Sequence, residues 1–357
     1  PDTAKFDMMP QSAIAAEVVD LVDFPDKMPD KIITYLFRSS FLSLPGHEPN
    51  GRNSLQEIVA LLSEHTGNSF TDYKINTVLR RIERRMSLYQ MTSMEEYIPY
   101  LRNNPAEIDL LFKELLIGVT NFFRDAKVWE YLKMVVLPQM LAAHPDGRAF
   151  KAWIPACSTG EEAYSLAMVF HEVVASSNPP SKYSLQIFAT DLSADAIDRA
   201  RQGRFPSTIS SEVSTERLER FFMQDKGDYL VRKEIRNMII FAQQNVISDP
   251  PFTKLDILCC RNLLIYLNAK LQQRLIPLFH YALNRDGVLL LGSADTPGHF
   301  SELFAPLTTS TRLYRRLDNL ARQRLLTYFP TKVSSATPPP PSDTRDVSMP
   351  GKIQSHV

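Results

Sequence analysis

One stretch, from Lys151 to Asp191, limits what this chain can fold into. The short apolar run Ala152-Trp153-Ile154 ends in a turn of small residues, Ala156-Cys157-Ser158-Thr159-Gly160. Ala163, Leu166, Ala167 and Phe170 then follow at helical spacing. Beyond the break at Asn178-Pro179-Pro180 a second apolar run, Leu185 to Ala189, closes on Thr190-Asp191. Strand, tight turn, helix and strand with an acid at its tip make a βαβ unit. A ligand is expected where those strands end, and the acid suits the two hydroxyls of a ribose.

The turn narrows the ligand. A dinucleotide site needs G-x-G-x-x-G so that backbone amides can approach a pyrophosphate. Here Gly160 stands alone and is followed by Glu161 and Glu162. Carboxylates at a helix start suit its dipole but repel phosphate. They serve either as simple caps or as the wall of a site for a ligand with a ribose, an ammonium group and no phosphate. S-adenosyl-L-methionine is such a ligand.

With 357 residues, 44% of them hydrophobic, the chain is long enough for two domains. Its formal net charge of zero supplies no global field for nucleic acid or a membrane surface. No run reaches bilayer length. The cysteines Cys157, Cys259 and Cys260 form no C-x-x-C motif, and the seven histidines form no pair at metal-ligand spacing. A cytoplasmic protein without a structural metal is expected. The start at Pro1 and the proline run Pro338 to Pro341 suggest a piece of a longer protein that ends in a disordered linker.

Taken in order, residues 1–50 hold short helix-like pieces, among them Met8-Met9-Pro10-Gln11-Ser12-Ala13-Ile14 and Val18-Val19-Asp20-Leu21-Val22-Asp23. Residues 51–145 are helical throughout. Ile75, Leu79, Ile82 and Met86 form an apolar stripe whose other face carries Arg80, Arg81, Arg84 and Arg85. The aromatic connector Gly118 to Asp125 leads into a second domain spanning 146–330, with a small insertion at about 205–237. Within it, strands end at Gln243-Gln244-Asn245 and at Cys260-Arg261-Asn262, and Leu313 to Leu317 is expected as the last, antiparallel edge strand. Trp153, Tyr164, Cys259 and Cys260 read as packing residues. Residues 331–357 are the proline-rich tail.

Six motifs in this order resemble the CheR-type chemotaxis-receptor methyltransferases. They are Arg80-Arg81 with Arg84-Arg85; Thr120 with Phe122-Phe123-Arg124; Cys157-Ser158-Thr159-Gly160-Glu161-Glu162-Ala163-Tyr164-Ser165; Ala189-Thr190-Asp191; Asn245; and Cys260-Arg261-Asn262-Leu263-Leu264-Ile265-Tyr266. The leader resembles the closing segment of CheB-type methylesterases, as in a CheB–CheR-like fusion, with Met8 where that family has glycine and without the esterase's catalytic residues. The resemblance implies an α/β fold: a Rossmann-like S-adenosylmethionine-dependent methyltransferase sheet, an N-terminal helical domain and a small inserted β subdomain. It implies S-adenosyl-L-methionine as cofactor and S-adenosyl-L-homocysteine as product. Thr120 and Arg124 would then touch the methionine end, Glu162 its amino group and Asp191 the ribose. Asn245 and the backbone of Val246 would border the adenine, and Cys260 and Arg261 would close the pocket. Gly118 stands where some members carry an asparagine that reaches the cofactor, and Ala163 replaces a common proline.

The implied reaction transfers a methyl group to a glutamate side chain of a chemotaxis receptor, forming a methyl ester for sensory adaptation. With an ordinary pKa of about 4.3, glutamate is already ionised at neutral pH and needs no general base. Alignment and desolvation are the remaining tasks. Tyr266 and Arg261 are candidates to orient the carboxylate, Arg124 lies with them, and the basic helix is the candidate docking surface for acidic receptor helices. Mutating that helix is expected to spare cofactor affinity, because it belongs to the other domain. Two other readings stay open: a methyltransferase acting on RNA or a small molecule, and a non-catalytic S-adenosylmethionine or S-adenosylhomocysteine sensor in a multidomain signalling protein.

Overall fold

Four helices carry the first layer: α1 (Pro49–Thr66), α2 (Ile75–Leu88), α3 (Met94–Asn103) and α4 (Pro105–Leu115). The computed structural model describes residues 22–29, 32, 49–176, 182–298, 300–308 and 311–318. The leader 1–50, where a methylesterase resemblance is expected, apart from 22–29, 32 and 49–50, and the proline-rich tail lie outside the described residues. The α1 stripe of Ile58 and Leu62 packs with Val78, Ile82, Tyr97, Leu101 and Leu111 into one apolar cluster. Ser93 caps α3 by accepting the Glu96 N–H, which fixes where that helix begins.

The helical layer ends near residue 117, earlier than the expected boundary at 145. Helix α5 (Ala126–Tyr131) passes through a π-helical turn (Leu132–Val136) into α6 (Leu137–Ala142). Pro138 has no N–H to return to the preceding turn, which accounts for the widened helix there. Trp129, Leu132, Val136, Leu137 and Leu141 pack into the core of the second domain. Helical periodicity at 126–142 reveals a helix but not which core it covers.

The second domain opens with β1 (Arg148–Pro155), α7 (Glu161–Ala175) and β2 (Tyr183–Asp191), the expected βαβ unit. Next come α8 (Ala194–Gln202), then β3 (Arg204–Phe205), α9 (Thr215–Phe221), β4 (Phe222–Asp225), β5 (Asp228–Val231) and α10 (Lys233–Arg236). Strands β6 (Ile239–Gln243) and β7 (Leu255–Cys260) lead to α11 (Ala269–Ala282), β8 (Leu283–Leu291), β9 (Phe304–Pro306) and β10 (Leu313–Arg316).

The main sheet has the order β6-β2-β1-β7-β8-β10-β9, with the first five strands parallel and the last two antiparallel to their neighbours. The expected last strand is therefore present, but β9 lies outside it. A three-residue strand ending in proline gives no readable alternation. The insertion forms its own sheet, β3-β5-β4, as expected. Trp153 and Tyr164 are fully buried. The Trp153 indole donates to Thr190 Oγ1 at 3.0 Å, tying the end of β1 to the end of β2. Strand order reverses between β1 and β7, so their carboxyl ends flank a crevice. Among the described residues no helix is long and apolar enough to cross a membrane.

Candidate functional site

The turn after β1 is built from left-handed residues: Ala156, Ser158 and Gly160 have φ of 56°, 49° and 95°. Gly160 does not line the cleft described below. A Cβ there would sit 3.0 Å from the Ala200 Cβ and 3.1 Å from the Phe241 ring, so its space belongs to α8 and β6. The turn instead sends the Ser158 N–H to Asp191 Oδ2 at 2.8 Å, while Ser193 N–H reaches Oδ1 at 2.9 Å. Each carboxylate oxygen thus keeps accepting capacity on the crevice side. Burial raises the Asp191 pKa, opposed by those backbone donors.

Glu162, on the first turn of α7, has a side chain only 14% exposed. Its Oε2 accepts from Arg261 Nη1 at 3.0 Å and its Oε1 from the Cys259 thiol at 2.9 Å. Burial raises its pKa and Arg261 is the main opposing influence. Arg261 also donates to Arg124 O and bridges to Asp125, so it clamps the connector against α7. Glu161 turns the other way and takes the Thr159 hydroxyl, and burial pushes its pKa up to about 7.

A cleft collects Thr120, Arg124, Ser158, Glu162, Asp191, Asn245, Val246, Arg261 and Tyr266. Of the cofactor residues expected from sequence, only Cys260 is missing from its wall. That thiol is fully buried, and burial followed by the Asp295 charge pushes its pKa up. Its neighbour Cys259 is the one that meets Glu162. Arg261 needs a second correction. Its side chain is 1% exposed and spent on Glu162, Asp125 and Arg124, so it does not face an incoming substrate.

A neighbouring groove is lined by Thr77, Arg80, Arg81, Ile117, Val119, Arg124, Asn262, Ile265 and Tyr266, and it shares Ile117, Val119, Arg124, Asn262 and Tyr266 with the cleft. The basic face of α2 is not uniform. Arg80 and Arg81 line this groove, whereas Arg81 and Arg84 approach Glu114 at 3.4 and 2.9 Å. Arg85 is turned inward onto Glu107 (2.6 Å), which also takes the Tyr97 and Tyr89 hydroxyls. Its expected docking role is therefore replaced by a structural ion pair.

Sequence reading missed several participants. Asp295 Oδ2 accepts the Asn262 and Gly292 N–H groups and so holds the loop that carries Tyr266. Gln244 lines the cleft with Oε1 buried and unpartnered among the described residues. Ser158 donates its hydroxyl to Gly118 O, and its Oγ lies 3.0 Å from where a Cβ at 118 would stand, so it fills the space beside that glycine. Local periodicity signals none of these: Asp295 and Ser158 depend on partners 33 and 40 residues away, and Gln244 shows only through its place in the cleft.

Residues 118–313 match the CheR methyltransferase, SAM binding domain, and residues 53–116 match the CheR methyltransferase, all-alpha domain. The chain belongs to the CheR methyltransferase family. It is 30% identical over 258 residues to chemotaxis protein methyltransferase 2 of Pseudomonas aeruginosa, covering 71% of this chain and 89% of that one. It is 28% identical to the chemotaxis protein methyltransferase of Escherichia coli, covering 70% and 86%. An uncharacterized 104.1 kDa protein of Rhodobacter capsulatus is 36% identical over 97% of this chain, which spans 38% of that protein's length.

The cleft of this CheR member fits S-adenosylmethionine on its own chemistry. It offers a carboxylate with accepting capacity at the β2 tip and a second carboxylate deep at the α7 start. An orphaned amide oxygen at Gln244 can accept from an amino group. It places the Glu162 carboxylate where a phosphate would need bare amides. Among the described residues no cluster of metal-ligating side chains occurs.

Proposed function

We propose that this CheR domain methylates glutamate side chains of chemotaxis receptors in the cytoplasm, as part of a longer signalling protein. The carrying observation is that Tyr266 and Arg124 line both the nucleoside-type cleft and the groove beside α2. S-adenosylmethionine, when bound, supplies an activated methyl group on a sulfonium. Asp191 would accept from the ribose hydroxyls and Glu162 from the amino group, with Arg124 and Thr120 bordering the methionine end and Asn245 and Val246 the adenine. Tyr266 would hold one oxygen of the substrate carboxylate by its hydroxyl, leaving the other free to attack. Arg261 acts as a positioning residue, holding Glu162 and the connector in place.

The chain incubated with methyl-labelled cofactor and receptor-bearing membranes should leave base-labile label on a receptor band. Base-stable label, or label on RNA, would redirect the reading to another substrate, and tight binding without label would make the domain a sensor. In the same assay Tyr266→Phe should lower turnover about 10- to 100-fold, the worth of a hydrogen bond to a charged group. Its cofactor affinity should hold; unchanged turnover would reduce Tyr266 to packing.

Docking is tested on the two arginines that line the groove. Exposed ion pairs contribute about 0.2–1 kcal/mol each, so Arg80→Gln with Arg81→Gln should raise substrate KM about 2- to 30-fold and flatten its salt dependence. Neutralisation is preferable to charge reversal, which would set a new carboxylate near Glu114. An unaltered KM at low ionic strength in a variant with wild-type melting would assign no docking role to these two side chains.

A further inference from the structure

The helical domain does more than lie beside the cofactor cleft. The segment joining α1 to α2 is fastened to the loop after β7. Lys74 N–H donates to Tyr266 O at 2.8 Å, Asn268 N–H to Asp72 O at 2.9 Å, and Tyr73 forms an isolated antiparallel bridge with Leu267. A second tie runs from Asn245 Nδ2 to Asn68 Oδ1 at 2.8 Å. Between these ties Tyr73 reaches the wall of the cleft that holds Asp191, Asn245 and Val246. Its ring rests on the buried Phe70 with centroids 4.9 Å apart, and its hydroxyl has no hydrogen-bond partner among the described residues.

We propose that Tyr73 is a cofactor-binding residue supplied by the helical domain, its phenol hydroxyl donating to the nucleoside half of the ligand. The proposal rests on the reading of this cleft as the S-adenosylmethionine site. Three observations carry it: the fastening fixes the backbone on both sides of Tyr73, Phe70 fixes the ring, and Tyr73 lines the same cleft as the ribose acid Asp191, whose charge acts on its phenol. Burial and the nearby Asp191 charge push the phenol pKa up to about 12, so it stays a donor at neutral pH. The expected independence of α2 from the cofactor is also revised, because α2 begins one residue after the Lys74–Tyr266 tie.

Calorimetry on the full chain with S-adenosylmethionine and with S-adenosylhomocysteine tests this, alongside melting curves without ligand. Tyr73→Phe keeps the ring and removes the hydroxyl. It should weaken both ligands equally, about 2- to 12-fold, because the contact is remote from the sulfur. The unliganded melting temperature should stay put. Asp191→Ala is the companion variant. Unchanged affinity in Tyr73→Phe beside a large loss in Asp191→Ala would overturn the role of Tyr73 and leave the cleft intact. Unchanged affinity in both would overturn the cleft itself. A lower unliganded melting temperature with unchanged affinity would make Tyr73 a packing residue only, and likewise overturn the proposal.

Discussion

Arg261→Ala is expected to lower the melting temperature by about 6–20 °C. Removing one member of a buried ion pair costs about 3–5 kcal/mol, and each kcal/mol moves a domain of this size by roughly 2–4 °C. The loss comes from what remains. Glu162 would be left buried with only the Cys259 thiol, and Asp125 and the Arg124 carbonyl would lose their clamp. The penalty has a definite pH dependence. Burial raises the folded-state pKa of Glu162, so the group favours the fold below its unfolded pKa of about 4.3, and that advantage is lost as pH rises through the raised value. The variant should therefore melt closest to wild type in acid and furthest from it at neutral pH. Adding Glu162→Gln should restore part of the difference, since it removes the stranded charge. Calorimetric melting across pH measures both effects. A flat, small difference would mean that the pair contributes little.

Asp191→Ala should weaken S-adenosylmethionine and S-adenosylhomocysteine by tens of fold or more. Two hydrogen bonds to ribose account for about 1–3 kcal/mol. The same carboxylate also receives the Ser158 and Ser193 N–H groups, so its loss releases the turn after β1 and the entry to α8 as well. NAD should not bind the wild-type chain, because Glu161 and Glu162 occupy the helix start where a pyrophosphate would need bare amides. Unchanged affinity in the variant, measured by titration calorimetry, would remove the ribose assignment.

The parts of this architecture carried by local pattern were legible in the sequence. Gly160-Glu161-Glu162 after an apolar run, and an acid closing the next run, led to the β1-α7-β2 unit and to Asp191 at its tip. What escaped depends on partners distant in the chain. Arg85 looks like its neighbours until Glu107, 22 residues away, draws it inward. Cys259 and Cys260 cannot be told apart by alternation, because every residue of β7 is buried. The basic R-R-x-x-R-R pattern marks a helix face but not the groove that only Arg80 and Arg81 reach. Tyr73 reads as an ordinary loop aromatic until its segment is seen fastened against Tyr266 and Leu267.

The burial of Cys157, Cys259 and Cys260 has a practical consequence for watching this domain at work. Desolvation pushes all three thiols well up from their ordinary range, away from the thiolate form that alkylating dyes require. They are the only cysteines in the chain. A cysteine introduced at Ser87, exposed near the end of α2, or at Met223 on the small sheet would be the only readily labelled position. Fluorophores placed there would report on the surroundings of the helical face and of the inserted sheet separately, on a protein whose native thiols need no replacement.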